Sequence, residues 1–368
     1  MCKSLIYIKE EFMSTRVTIQ DIADELGISR NTVSKAINNT GVLADATRDK
    51  VLKKAMEMGY KQFSYVTAAK PGSSVLSIPA PKEKTEIAVF LTNFVGGNHF
   101  AIVMLDKFQK ELAVLGYSLT MHRLLTEELD NMKLPASFSQ ERTAGIICIE
   151  MFHYEYDQML CGLGLPILFV DAPVTCLKNP LEADLLCMDN QSGIYLFIGE
   201  MARRGKTKIG FIGDYMHCQS FFERYMAYRN AMYLAGLSCP DEYCIAGNKE
   251  GMHNLSSEDY QEYLAECFRK VSHLPEVFLC ANDFVALDAL QALKKSGYSV
   301  PDDVWLCGFD DSPESKIVTP AFTTIHIHSQ IMGFSAVNLL MTRINEPSLN
   351  YRTVHTETSL IYRESTEN

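Results

Sequence analysis

The chain has 368 residues, 47% of them hydrophobic and 21% charged, which suffices to bury the cores of two or three domains. Its net charge of −11 excludes a protein that coats nucleic acid over its whole surface. That charge is uneven: residues 14–70 carry 9 Lys/Arg against 6 Asp/Glu, whereas residues 71–368 carry 23 against 37, so a mildly basic head precedes an acidic body.

The first residues, MCKSLIYIKEEFM, place charge within a short apolar run and lack a small-residue cleavage site, so they do not read as a signal peptide. Met13 is a candidate start, because the patterned sequence begins just after it. Residues 17–39 read VTIQDIADELGISRNTVSKAINN. Thr18 and Asp21 have the spacing of a capping box, and Ile19, Ile22, Ala23 and Leu26 then share one helical face. Gly27 allows the left-handed residue that ends this helix. Ser29 is the next N-cap, and Val33, Ala36 and Ile37 form the inner face of a second helix. Two short helices joined by a tight glycine turn are a helix-turn-helix. A third amphipathic helix follows, with Ala46, Val51, Leu52, Ala55 and Met56 expected inside and Gly59 at its end.

The outer face of the second helix shows Arg30, Asn31, Thr32, Ser34, Lys35 and Asn38, with no acidic residue. Arg and Lys match guanine O6/N7 in the major groove, Asn matches adenine N6/N7, and small hydroxyls suit phosphate oxygens. A solvated polar face would carry the same residues.

This stretch, with TRDKVLKKAMEMGY after it, resembles the DNA-binding head of the LacI/GalR repressors. The resemblance implies that Arg30, Asn31 and Lys35 read bases while Thr18, Thr32, Ser34 and Asn38 hold phosphates, with Ser29 counted among the DNA-binding residues. The family continues into a hinge helix whose leucine wedges into the minor groove. Here the wedge position is Ala69, too small to part base pairs, and Pro71 and Gly72 stop any helix. Lys70–Glu86 carries three prolines and reads as a long linker, leaving Phe63, Tyr65 or Val66 as substitute wedges.

From Ile87 onward, apolar runs alternate with amphipathic stretches. IAVFLT is a strand, FAIVMLDKFQKELAVLGY a helix ending at Gly116, and TAGIICIE, LPILFVDAP, KIGFIG, EVFLCAND and VWLCGFDD repeat the strand form. The expected class is α/β: a small all-α head followed by two doubly wound parallel-sheet lobes. Ligands of such sheets sit outside the carboxyl ends of the strands, where Asp171, Asn282, Asp283, Asp310 and Asp311 fall. Each of these residues also suits a helix cap or a turn.

The same family resemblance extends over this body, which looks like the periplasmic-binding-protein-like fold. FVDAP, CMDNQSG, ARRGKTKIGFIG, ERYMAYRNAM, CANDFVAL, VPDDVWLCGFDDSP, PAFTTIH and YRES match family signatures in order. The implied domains are a head over 15–62, a hinge over 63–85 and a two-lobed effector-binding and dimerisation domain over 86–368. Its first lobe is expected over about 86–191 and 328–345, and its second over about 192–326 and 347–363. By position, Asp171, Arg224, Asn282 and Asp310 would hold an effector, with His99 and Phe100 offering contacts from the first lobe. Carboxylates, amides and a guanidinium suit a carbohydrate or sugar derivative; Arg224 would also anchor a phosphate.

The function these features imply is a cytoplasmic, sequence-specific transcriptional repressor whose operator affinity a small effector controls. Its partners would be a second copy of itself and a near-palindromic duplex operator, with no membrane and no cofactor. The alternative is a solute-binding protein that reads no DNA. An enzyme is disfavoured: there is no Gly-rich phosphate loop, no G-x-S-x-G elbow and no metal-ligand cluster. No apolar run has the ~18 residues of a membrane span. No heptad repeat follows YRES, so no C-terminal coiled coil is expected. His326 and His328 alternate on one strand but lack an obvious third ligand, and read as strand residues rather than a metal site. Eleven cysteines show no Cys-x-x-Cys pair, the nearest two being Cys239 and Cys244, and they read with the methionines as reduced core filling.

Overall fold

The structure, a computed structural model, describes residues 17–37, 43–58, 60, 84–92, 100–245 and 255–367. The hinge expectations at Phe63, Tyr65, Val66, Ala69, Pro71 and Gly72 fall outside these residues, as do those at His99 and Asn38. The chain divides into two compact units, Met1–Val75 and Leu76–Asn368.

The first unit holds three helices: α1 (Ile19–Leu26), α2 (Arg30–Ile37) and α3 (Asp45–Glu57). The capping box forms as the spacing requires. The Thr18 amide donates to Asp21 Oδ2 at 2.7 Å and the Asp21 amide donates to Thr18 Oγ1 at 3.3 Å. Gly27 closes α1 at φ 63°, ψ 34°, a conformation that costs a side chain with a Cβ but not glycine. Ser29 Oγ then accepts the Thr32 amide at 3.1 Å and starts α2. Ile22, Ala23, Val33, Ala36, Ile37, Val51, Leu52 and Ala55 form the buried centre. Ala46, expected inside, is exposed.

The second unit is built on sheets. Six parallel strands form the first: β1 (Glu86–Leu91), β2 (Ser118–Arg123), β3 (Thr143–Ile149), β4 (Ile167–Val170), β5 (Asp184–Met188) and β11 (Thr353–Thr356), in the order β11-β5-β4-β3-β1-β2. The second sheet is parallel too: β6 (Ile209–Ile212), β7 (Cys244–Ile245), β8 (Val277–Cys280) and β9 (Trp305–Cys307), ordered β7-β6-β8-β9. β10 (Thr324–Ile327) and β12 (Thr358–Ile361) form an antiparallel pair, and single bridges tie the β10 segment to the β9 segment. Strands covered on both faces carry continuous apolar runs, as in ILFV, IGFI and VFLC, all fully buried.

Helices cover the faces. α4 (Phe100–Val114) and α12 (Ser329–Asn345) pack together beside the first sheet, with the short α5 (Thr126–Asp130) and α6 (Tyr154–Cys161) on that lobe. The second lobe carries α7 (Ser192–Arg203), α8 (Gln219–Leu234), α9 (Ser257–Lys270), α10 (Asp283–Lys295) and the short α11 (Pro313–Ile317). The chain passes between lobes near Asp189, His328 and Glu357. These crossings are tied together: the Asp189 amide donates to Thr356 O at 2.7 Å, Thr358 Oγ1 donates to Asp189 O at 3.0 Å, and His328 Nε2 and Ser359 Oγ lie 2.9 Å apart.

The expected C-terminal boundary shifts here. The sequence reading places residues 347–363 whole in the second lobe, but β11 pairs in parallel with β5 of the first sheet, and only β12 joins β10. A buried ion cluster holds this arrangement: Asp184 accepts from Arg343 Nε and Nη2 at 3.1 and 3.0 Å, and from the Arg352 amide at 2.8 Å. Among the described residues no helix is long and apolar enough to cross a membrane.

Candidate functional site

On α2 the side chains sort by burial. Val33, Ala36 and Ile37 face inward, while Arg30 and Asn31 are exposed and Thr32, Ser34 and Lys35 half-exposed. The helix carries a guanidinium, an ammonium and an amide with no acidic residue between them. Thr18, expected at a DNA phosphate, and Ser29, expected among the DNA-binding residues, are exposed and hydrogen-bonded within their caps.

In the second unit, polar side chains converge on Arg224, which is 3% exposed. Its Nε donates to Asn190 Oδ1 at 2.9 Å, and Nη1 donates to Ala281 O at 2.8 Å and lies 3.5 Å from Asp310 Oδ1. The guanidinium stacks 3.6 Å above the Phe309 ring centroid. The groups that fix it follow β5, β8 and β9, three strands of two different sheets. The lobes therefore meet at this residue.

Asn190 extends the network by donating through Nδ2 to Glu223 Oε2 at 2.8 Å and Ser220 Oγ at 3.2 Å, and Gln219 Nε2 reaches Glu223 Oε1 at 2.7 Å. Asp171, following β4 at φ 62°, is 5% exposed. Its Oδ1 accepts the Ala172 amide at 2.8 Å and the Ser220 amide at 3.2 Å, so a first-lobe carboxylate closes the start of second-lobe helix α8. The Gln219 amide adds a bond to Ala172 O at 2.8 Å. Burial pushes the Asp171 carboxyl up to about 6, against the Ala172 amide, the Cys218 thiol, the Ser220 side chain and Arg224, which favour its charge.

Asn282 caps α10, its Oδ1 accepting the Val285 amide at 2.9 Å. Asp310, half-buried at φ 106°, faces Arg224. The neighbouring Asp283 and Asp311 serve the scaffold. Asp283 accepts from Thr324 Oγ1 and the Ser312 amide, both at 2.7 Å, and burial followed by the Asp310 charge raises its carboxyl to about 7. Asp311 is held by His326 at 2.9 Å, by Lys316 at 3.1 Å and by Arg363. Burial alone would raise its pKa, but these partners keep it below the carboxylate range. His326 thus belongs to an ion cluster, and among the described residues no group of three or more His, Cys, Asp or Glu side chains is placed to hold a metal.

Phe100 opens α4 and is half-buried. A cavity of about 420 Å³ lies in the second lobe, lined by Asp214, His217, Phe221, Tyr260, Asn282 and Phe284 among others. Of the expected effector residues that the structure describes, only Asn282 lines it. Phe221 joins the two regions, since its ring also lies 5.5 Å from the Arg224 guanidinium. His217 packs edge-on against Phe152 of the first lobe at 5.2 Å, and its ring lies tilted 5.2 Å from that of Phe221. The sequence does not single out Asn190, Glu223, Phe309 or the Phe152–His217–Phe221 group. Only Asn190 leaves a signal there, as a polar residue just after the strand in CMDNQSG.

Residues 18–62 match the family model for bacterial regulatory proteins of the lacI family, and residues 198–366 match that for a periplasmic binding protein-like domain. The chain is 27% identical to the HTH-type transcriptional repressor PurR of Mannheimia succiniciproducens, over 95% of this chain and 98% of that one. It is 26% identical to the PurR of Pasteurella multocida, over 95% and 98%. Among solved structures, the transcriptional regulator CelR in complex with cellobiose shares the fold at a TM-score of 0.66 and 21% identity, covering 95% of this chain and all of that one. The lac repressor dimer bound to operator and the anti-inducer ONPF does so at 0.59 and 19%, covering 96% and 100%.

Proposed function

The chain belongs to the LacI family of bacterial regulatory proteins, and on that premise we propose that it is a dimeric repressor that reads a near-palindromic operator and responds to a neutral, sugar-like effector. The observation that carries the DNA-reading half is α2, a capped helix that turns Arg30 and Asn31 to solvent and bears no acid. Arg30, Asn31 and Lys35 contact base edges, while Thr18, Ser29, Thr32, Ser34 and Asn38 contact phosphates. Two copies related by a two-fold axis present two such helices, one per half-site.

The effector reading rests on the groups around Arg224. Arg224, Asn282 and Asp310 bind the effector with Phe100 and His99, and Asp171 supports them by fixing the start of α8. The guanidinium is already matched by Asp310 and by the Ala281 carbonyl, and Asp214, Asp171 and Glu223 add negative charge nearby. That balance opposes a phosphate or carboxylate ligand and suits hydroxyl groups, which bind carboxylates and amides in pairs, with rings such as Phe221 on the apolar sugar face. Because an effector touching both lobes favours the arrangement in which they meet, its effect on operator affinity is mirrored by an equal effect of operator on effector affinity.

Selection from random duplex DNA with the full chain at fixed, moderate salt tests the reading. A two-fold symmetric sequence is the expected result. Arg30→Ala is then expected to relax one base pair in each half-site by ~1–3 kcal/mol, measured by competition binding. Enrichment of no sequence, with and without mono- and disaccharides, would sink the proposal.

A further inference from the structure

The segment CPDEYC, residues 239–244, turns the chain from α8 toward β7 through a 3₁₀ turn over Asp241–Tyr243. The turn brings two sulfurs onto one phenol. Cys239 Sγ donates to the Tyr228 hydroxyl at 3.3 Å, and Cys244 Sγ donates to the same hydroxyl at 3.9 Å. Tyr228 is fully buried and donates to Ile209 O at 2.8 Å, so the phenol is a fixed floor beneath both thiols. Both cysteines are half-buried, whereas Cys148, Cys187, Cys218, Cys280 and Cys307 lie in the core.

The two thiols are also unequal. Pairing with Cys244 outweighs burial and, with the nearby Arg229 guanidinium, pulls the Cys239 thiol down to about 6. Cys244 is pushed upward by the same pairing and by burial, and keeps its proton. Arg229 is itself held in place by Asp241 at 3.0 Å and the Tyr225 hydroxyl at 3.1 Å.

We propose that Cys239 and Cys244 form a peroxide-reactive dithiol, with Cys239 the attacking thiolate and Cys244 the resolving thiol, that closes to a disulfide across the α8–β7 turn. In the first step the Cys239 thiolate attacks hydrogen peroxide. An S–O bond forms and the O–O bond breaks, sulfur is oxidised by two electrons, and the leaving hydroxide is protonated to water. In the second step Cys244 sulfur attacks the sulfenic sulfur. The S–S bond forms, the S–O bond breaks, and water leaves with the Cys244 proton. A thiol donor reverses the bond. The site stands apart from the groups around Arg224, although α8 carries both Arg224 and Tyr228, so it adds a redox input that the effector reading does not contain.

The full-length protein is treated with hydrogen peroxide at neutral pH, alkylated, denatured and mapped by peptide. Cleavage after Arg229 and Lys249 releases residues 230–249, which hold Cys239, Cys244 and no other cysteine. That peptide is expected to lose two hydrogens, resist alkylation and recover with dithiothreitol. Cys239 is expected to react about tenfold or more faster than Cys161 and Cys267, the other half-buried thiols among the described residues. In Cys244→Ser a 1,3-diketone probe is expected to trap the sulfenic acid on Cys239, and in Cys239→Ser Cys244 is expected to stay reduced. Oxidation of Cys161 or Cys267 at the same rate, or unchanged oxidation of Cys244 in Cys239→Ser, overturns the proposal. Should either variant fold poorly, the wild-type alkylation rate decides. Half-maximal alkylation of Cys239 near pH 6 supports the proposal, and a midpoint above about pH 8 overturns it.

Discussion

Asp157 is a carboxylate placed where a carboxylate is costly. It sits on α6 with no exposed area, and neither of its oxygens has a hydrogen-bonding side-chain or backbone partner among the described residues. Its neighbours include the thiols of Cys148 and Cys161, whose own ionisation it opposes. Burial, with a smaller push from Glu155, raises its pKa from 3.8 to about 8. The folded chain therefore keeps a proton that the unfolded chain releases near pH 4. Stability from this group is complete below the unfolded pKa, falls by about 1.4 kcal/mol per pH unit as pH rises, and levels off above the folded pKa. By neutral pH the loss amounts to about 4 kcal/mol, an upper bound because relaxation around the carboxylate lowers the folded pKa. Asp157→Asn removes the titration while keeping the shape. Urea unfolding of both proteins at a series of pH values between about 5 and 8.5 separates this effect from packing, which shifts every point equally. As pH rises, the difference in unfolding free energy is expected to move steadily in favour of the Asp157→Asn variant, then to stop changing near pH 8. Parallel curves over the whole range would refute the reasoning, since they would mean that Asp157 ionises freely in the folded protein.

Three further changes probe the scaffold around the candidate site. A Cβ on Gly308 would lie 2.0 Å from Asp283 Oδ1, so Gly308→Ala is expected to cost ~3 kcal/mol or more, and an unchanged urea midpoint would contradict this packing. Asp184→Asn would strip the buried Arg343 of its charge partner, at a cost of ~3–5 kcal/mol near neutral pH. Although burial works to raise the Asp184 pKa, the guanidiniums of Arg343 and Arg352 hold the carboxyl below its usual range. The wild-type advantage should therefore persist above the unfolded pKa and fade as pH drops through the lower folded one, which acid unfolding of the two proteins would show. Arg224→Ala removes the guanidinium that meets Asp310 and the Ala281 carbonyl and is expected to abolish any effector-induced rise in melting temperature, whereas a preserved rise would remove Arg224 from the effector site.

What can be read from the chain, and what cannot, follows from where each signal is stored. β3, β4, β6 and β8 are covered on both faces, so each is written as an apolar run and is legible. β2, SLTMHR, is an edge strand with only His122 buried, and its sequence looks like a loop. β11 and β12 are separated by the single residue Glu357, yet join different sheets; no local pattern encodes that change, because it depends on Asp184, far away in sequence, holding Arg352 beside β5. The candidate site divides in the same way. The caps of Thr18 and Ser29 span three residues each and are visible, while Arg224 is fixed by Asn190 and Ala281, 34 and 57 positions away, and by the still more distant Phe309. The Cys239–Cys244 spacing matches no redox motif, and only the turn after α8, closed on the buried Tyr228, gives those two sulfurs a common partner. A short-range rule finds residues that act through their neighbours in sequence; residues that act across a sheet or between lobes become visible only once the long-range contacts are in place.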